Sequence, residues 1–187
     1  MAAMTAIPID DYVIRPVRAD EWAASRELRL TALRDPVAHI AYMDTYEEAV
    51  ARPDSWWQER TANGAQQFIA ETADGSWVAN AAVLIEEAGS TDWAGSVVAR
   101  RQGHLVGVYV DPRYRGSGLA KALFRTALEW AWGRGAERVR LLVHVDNARA
   151  LGAYRKAGFV DTGVTMSLGD EPDDLELELA VERPVSD

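Results

Sequence analysis

Val108-Tyr-Val-Asp-Pro-Arg-Tyr-Arg-Gly-Ser-Gly-Leu-Ala120 joins the end of an apolar strand to a tight turn holding Gly116 and Gly118, and then to an amphipathic helix. Glycines in such a turn let backbone N–H groups approach an anion with no Cβ in the way. The first turn of the helix adds unsatisfied donors and a partial positive charge. Arg113 and Arg115 bring full charges to the same place, so the stretch suits a phosphate. A Walker A loop would close on Gly-Lys-Ser/Thr, whereas Lys121 stands between Ala120 and Ala122. A dinucleotide fingerprint wants a small residue where Lys121 sits and an acid after the next strand, whereas Glu137 precedes that strand. A glycine-rich strand-to-helix turn with no ligand is the competing reading of Gly-x-Gly by itself.

The strand before the turn alternates His104, Val106, Val108 and Val110 with Leu105, Gly107 and Tyr109, and Gly107 marks a bend or bulge. The helix after it, Gly118 to Trp132, carries Leu119, Ala120, Leu123, Phe124, Ala127, Leu128 and Ala131 on one face and is stopped by Gly133 and Gly135. A strand through Val139, Leu141, Val143 and Val145 follows, then a helix from Asn147 to Gly158 and an extended run from Phe159 to Met166. An acidic turn, Gly169 to Asp174, leads to a last alternating strand, Leu175 to Val181. Toward the N-terminus, Tyr12 to Val17 predicts a strand, and Asp20 is placed as the N-cap of a helix from Glu21 to Arg34 that Asp35-Pro36 ends. Val37 to Asn63 predicts a second, irregular helical segment with a capping box at Thr45 and Glu48 and a new start at Pro53-Asp54. Gln67 to Glu71 and Trp77 to Glu86 form an antiparallel hairpin around Ala73-Asp-Gly-Ser76. Such alternation belongs to an α/β (α+β) fold whose central sheet is flanked by helices.

With 187 residues, the chain is read as one domain, 1–187, with 48% apolar and 26% charged residues. Having no Cys, it offers no disulfide, thiolate metal site or cysteine nucleophile, and a reducing cytoplasm is the default location. Met1 to Tyr12 has neither Lys nor Arg and lacks the regions of a secretory signal. Val78 to Ile85 falls far short of the roughly 20 apolar residues of a membrane span. A net charge of -9 repels nucleic-acid phosphates. Three scattered His and no Cys suggest no metal site.

The chain resembles the GNAT superfamily of N-acetyltransferases. Arg113-Tyr-Arg-Gly116-Ser-Gly118 meets that family's Gln/Arg-x-x-Gly-x-Gly/Ala signature, and Asn147-Ala-Arg-Ala150-Leu-Gly-Ala-Tyr154-Arg-Lys-Ala-Gly158-Phe159 is similar to its Asn-x-x-Ala-x-x-x-Tyr-x-x-x-Gly-Phe. The detailed resemblance covers Val106 to Val160. It implies a mixed, mostly antiparallel sheet of about seven strands with about four helices, and acetyl-CoA as cosubstrate. By the resemblance the pyrophosphate lies on the N–H groups of Arg115, Gly116, Ser117, Gly118, Leu119 and Ala120. The pantetheine arm then runs along Val108, Tyr109 and Val110, and Asn147, near Ala150, hydrogen-bonds the arm.

The resemblance also makes the Tyr154 hydroxyl the general acid that protonates the departing CoA thiolate; the plain alternative is an aromatic packed on the inner face of its helix. Asn147 has the alternative of an ordinary N-cap. An attacking amine must be neutral, and candidate bases are His104, otherwise an exposed strand histidine, and Glu71. His144 and His39 are assigned no chemistry. Asp44, Glu47, Glu48 and Asp54 would recruit a cationic acceptor or simply be solvated, and Trp56 and Trp57 would line the same cleft or pack. The expected function is direct, ternary-complex transfer of an acetyl group to a primary amine. Polyamine, aminoglycoside, amino acid, peptide N-terminus and protein lysine are all open as acceptors, as is a longer acyl donor. The rivals are a non-catalytic acyl-CoA-binding or sensor domain, and an interaction module that homodimerises through Leu175 to Val181 as an edge strand.

Overall fold

The computed structural model describes residues 12–92, 94–167 and 174–185, so most of the acidic turn expected at Gly169 to Asp174, and all but Tyr12 of the stretch Met1 to Tyr12 read as lacking a secretory signal, lie outside the described residues. The elements are β1 (Tyr12–Pro16), α1 (Trp22–Ala32), α2 (Ala38–Ala41), α3 (Tyr46–Ala51), α4 (Asp54–Asn63), β2 (Gln66–Thr72), β3 (Trp77–Glu86), β4 (Gln102–Val110), α5 (Leu119–Gly133), β5 (Arg138–His144), α6 (Ala148–Lys156), β6 (Val160–Ser167) and β7 (Leu175–Glu182). The strands form a seven-stranded sheet in the order β1-β2-β3-β4-β5-β7-β6. β1 with β2, β5 with β7 and β6 with β7 are antiparallel, whereas β4 and β5 run parallel from Gln102/Arg138 to His104/Arg140. A parallel pair needs a crossover, and α5 supplies it.

Three expectations change. The strand from Leu175 to Val181 is not an edge: β7 lies between β5 and β6, and β1 and β6 are the edges, so an interaction module built on that strand is overturned. Alternation shows that a strand has two faces but not which strands flank it. The largely exposed β6 is the strand that fits an edge. Asp20 does not cap the first helix. It sits inside a 3-10 turn, Ala19–Glu21, whose start is closed by the Glu21 carboxylate accepting the Arg18 N–H at 2.8 Å. Glu21 also takes a fork from Arg15, and these bonds hold its carboxyl at about 2, well below the ordinary value. The segment after Pro36 is three helices rather than one, because Tyr42 and Arg52 turn extended before Thr45 and Pro53 restart the chain. The Thr45/Glu48 capping box is formed.

Two compact units divide the chain. One gathers Met1–Ala82 with Gly107–Thr126, and the other Val83–Val106 with Ala127–Asp187. In the first, Leu28, Ala32, Ile69 and Tyr109 form one buried cluster and Leu30, Leu33, Ala49 and Trp57 another. Trp57, 1% exposed, is therefore core. The second unit buries charge. Arg140, 2% exposed, is bonded to Glu86, Asp92 and Glu178, the arrangement a guanidinium taken out of water requires.

Candidate functional site

The phosphate-type turn and the outer half of β4 belong to the first unit. Gly107 has φ +63°, a conformation other residues rarely adopt, and its carbonyl accepts from Asn80 Nδ2 at 2.7 Å; the expected bend is present. Beyond it, Tyr42 donates its hydroxyl to the Val108 carbonyl at 2.7 Å, and Arg115 Nε donates to the Val110 carbonyl at 2.9 Å. Burial raises the Tyr42 pKa, so that hydroxyl keeps its proton. Side chains thus already bond two carbonyls on the stretch expected to meet the pantetheine arm, and each keeps a second lone pair.

The turn itself is shaped by Asp111, which accepts the Arg113 N–H at 2.9 Å and forks with the Arg113 guanidinium. Arg115 pairs with Asp35. Both arginines expected to face a phosphate as free charges are thus partnered by carboxylates, and Arg115 also holds the turn against the end of β4. The glycines behave as the turn demands: φ is +76° at Gly116 and +89° at Gly118. Ser117 donates to the Tyr114 carbonyl at 2.6 Å. The first intrahelical bond of α5 runs from Ala122 N–H to the Gly118 carbonyl, so the N–H groups of Ala120 and Lys121 precede it and are available to an anion.

Asn147, Ala150, Tyr154 and His104 belong to the second unit. Asn147 is the N-cap of α6: its Oδ1 accepts the Ala150 N–H at 3.2 Å, which leaves its side-chain amide as donor. Tyr154 is 8% exposed and meets Phe159 edge to face with centroids 5.9 Å apart, so the ring packs whatever its hydroxyl does. His104 is not exposed: at 2% exposure its Nδ1 lies 3.2 Å from Glu86. Burial alone would raise the Glu86 carboxyl, but bonds to His104, Arg140 and Gln102 outweigh it and hold the group at about 2. The other candidate base, Glu71, is in the first unit and bonds Arg15 Nε at 2.5 Å. His144 binds Asp174 through Nε2 at 2.7 Å and accepts the Asp146 N–H at Nδ1.

A pocket in the first unit is lined by Ser25, Arg29, Arg60, Gln67, Asn80, Gly107 and Tyr109, among others. Two of the four acids expected to recruit a cation are otherwise engaged: Asp44 is bound by Arg29 and Arg52, and Glu48 by Thr45. Tyr42, Asn80, Asp35, Arg29 and Arg60 were not singled out by sequence. The signal for Asp35 and Tyr42 was the interrupted helical stretch, whose contacts reach across 66 and 80 positions. Among the described residues no group of His, Cys, Asp and Glu is arranged to hold a metal, and no helix is long and apolar enough to cross a membrane.

Residues 26–159 match the acetyltransferase (GNAT) family, a span that contains both motifs. The chain is 34% identical over 158 residues to the L-amino acid N-acetyltransferase AaaT of Escherichia coli, covering 81% of this chain and 84% of that protein. It is 37% identical over 121 residues to the mycothiol acetyltransferase of Saccharomonospora viridis, covering 64% of this chain but only 37% of that longer protein. Among solved structures, yncA from Salmonella typhimurium with its cofactor acetyl-CoA is similar in fold, with a TM-score of 0.67 at 20% identity over 95% of this chain and 99% of that one.

Proposed function

Because the chain belongs to the acetyltransferase (GNAT) family, we propose that it catalyses direct transfer of the acetyl group of acetyl-CoA to a primary amine within a ternary complex. The observation that supports this is the turn from Asp111 to Leu119, where two positive-φ glycines and the N–H groups ahead of the first intrahelical bond of α5 make an anion cradle. The pyrophosphate takes backbone donors at the start of α5, Ala120 and Lys121 among them, with Arg113 and Arg115 shaping the turn rather than supplying free charge. Val108, Tyr109 and Val110 line the pantetheine arm and the Asn147 amide donates to it. Tyr154 protonates the leaving thiolate, and the amine, after losing its proton, attacks the thioester carbonyl. The chain has no Cys, so no thiol is available to carry the acetyl group between substrates.

For the base, Glu71 is the better candidate of the two. It is partly exposed, whereas His104 is enclosed beside a carboxylate already bonded to Arg140. We read 1–187 as one domain, since the division between units falls inside β3, β4 and α5 rather than at a linker. We place the enzyme in the cytoplasm on its lack of Cys. A homodimer would form through β1 or β6, the two edges.

Free thiol released from acetyl-CoA, measured over polyamines, aminoglycosides, amino acids and peptide N-termini, tests the reading. Thiol release that depends on one amine class, with the acetylated amine identified by mass, is expected. Tight acetyl-CoA binding with no transfer to any amine would instead establish a sensor domain.

A further inference from the structure

Three guanidiniums of the first unit lie near the Asp44 carboxylate, and two of them, Arg29 and Arg60, line its pocket. Arg52 forks onto Asp44 with both Nη atoms at 3.1 Å, Arg29 reaches the same carboxylate through one Nη at 3.2 Å, and Arg60 makes no ion pair among the described residues. The Nε of Arg29 is buried and unpartnered. Trp56 holds two of these groups in place, with Arg52 4.1 Å and Arg60 5.4 Å from its ring centroid. The result is a local excess of positive charge in a chain whose net charge is -9. Burial, with Arg29 and Arg52 nearby, pulls the Arg60 pKa below its ordinary value, as expected of a cation short of counter-charge.

Arg29 and Arg60 both line the pocket, beside the neutral amides of Gln67 and Asn80 and against Gly107 and Tyr109 of β4. We propose that this pocket receives the acceptor, and that the acceptor is a small amine carrying a carboxylate, an amino acid in the chemical sense, whose carboxylate is bound by Arg60 and Arg29. The proposal rests on the acetyl-CoA reading above, because β4 is the strand along which the thioester arm is laid. A guanidinium fork matches a carboxylate in shape and charge and gives stronger bonds than neutral donors. Polyamines and aminoglycosides, which bring only more positive charge, are disfavoured in the same pocket. On this proposal Asp44, read from sequence as a cation recruiter, instead orders Arg29 and Arg52.

The test uses the whole chain with acetyl-CoA and a panel of L-amino acids, their carboxamides and polyamines, with acetyl-CoA binding measured alongside by calorimetry. At least one amino acid is expected to exceed its own amide in kcat/KM by about 50-fold, the worth of charge-assisted hydrogen bonds to one group. Arg60→Gln should remove that preference through KM, with kcat held within about threefold and the amide's kcat/KM nearly unchanged. Its melting temperature should be unchanged or higher, since a crowded cation is gone; a merely structural Arg60 would lower it. Amides or polyamines turned over as well as amino acids, or a preference that survives Arg60→Gln, would overturn the carboxylate site while leaving the acetyltransferase reading intact. No acetyl-CoA binding at all would remove both.

Discussion

Gly118→Val is expected to weaken acetyl-CoA binding by about 10²–10⁴-fold, the loss of two or so hydrogen bonds to a charged group. Gly118 holds φ at +89° in the turn that opens α5, a backbone conformation that a β-branched residue adopts only with strain. The valine therefore distorts the turn and sets a branched side chain where the phosphates approach the N–H groups of Ala120 and Lys121. The cost to the fold is smaller, about 1–2 kcal/mol, because only one left-handed residue is affected. Calorimetric titration of the folded variant, with its melting temperature recorded beside it, separates the two effects. An affinity equal to the parent's would place the pyrophosphate elsewhere.

Tyr154→Phe should lower kcat by about 100-fold or more while leaving acetyl-CoA affinity close to that of the parent. The ring is 8% exposed and packed edge to face on Phe159, and phenylalanine keeps that contact. A packing tyrosine would therefore lose about 1 kcal/mol of stability and no turnover. A hydroxyl that protonates the thiolate is needed only while the thiolate leaves, so its removal acts on the chemical step. Acyl donors whose thiols are more acidic depart with less help and should narrow the gap. Steady-state rates on one confirmed acceptor make the comparison, and a variant within about threefold of the parent would take Tyr154 out of the mechanism.

The two motifs were legible because each is local. Gly116 and Gly118 fix a turn by their own φ angles, and Asn147 caps the helix that carries Tyr154 within three residues of Ala150. The period of α5 was equally plain, since Leu119, Leu123, Phe124, Ala127 and Ala131 repeat on one buried face. What the sequence hid was partnership across long separations. Arg115 looks like a free cation until Asp35, 80 positions away, is seen to hold it. His104 alternates like a surface residue, yet Glu86 and Arg140 arrive from β3 and β5 and bury it. β7 reads as a terminal and hence outer strand, whereas β6 takes the edge. In each case the deciding contact joins residues whose spacing follows no helical or strand period.

Titrating acetyl-CoA into the parent protein by calorimetry, at neutral pH and with the fold verified by circular dichroism, decides whether the chain is what its turn and family indicate. One molecule per chain should bind with a dissociation constant in the range of roughly 1 μM to 1 mM, and saturation should raise the melting temperature, because a ligand that binds only the folded state stabilises it. A folded protein that gives neither heat nor a shift at about 1 mM acetyl-CoA would contradict both the cosubstrate and the reaction built on it.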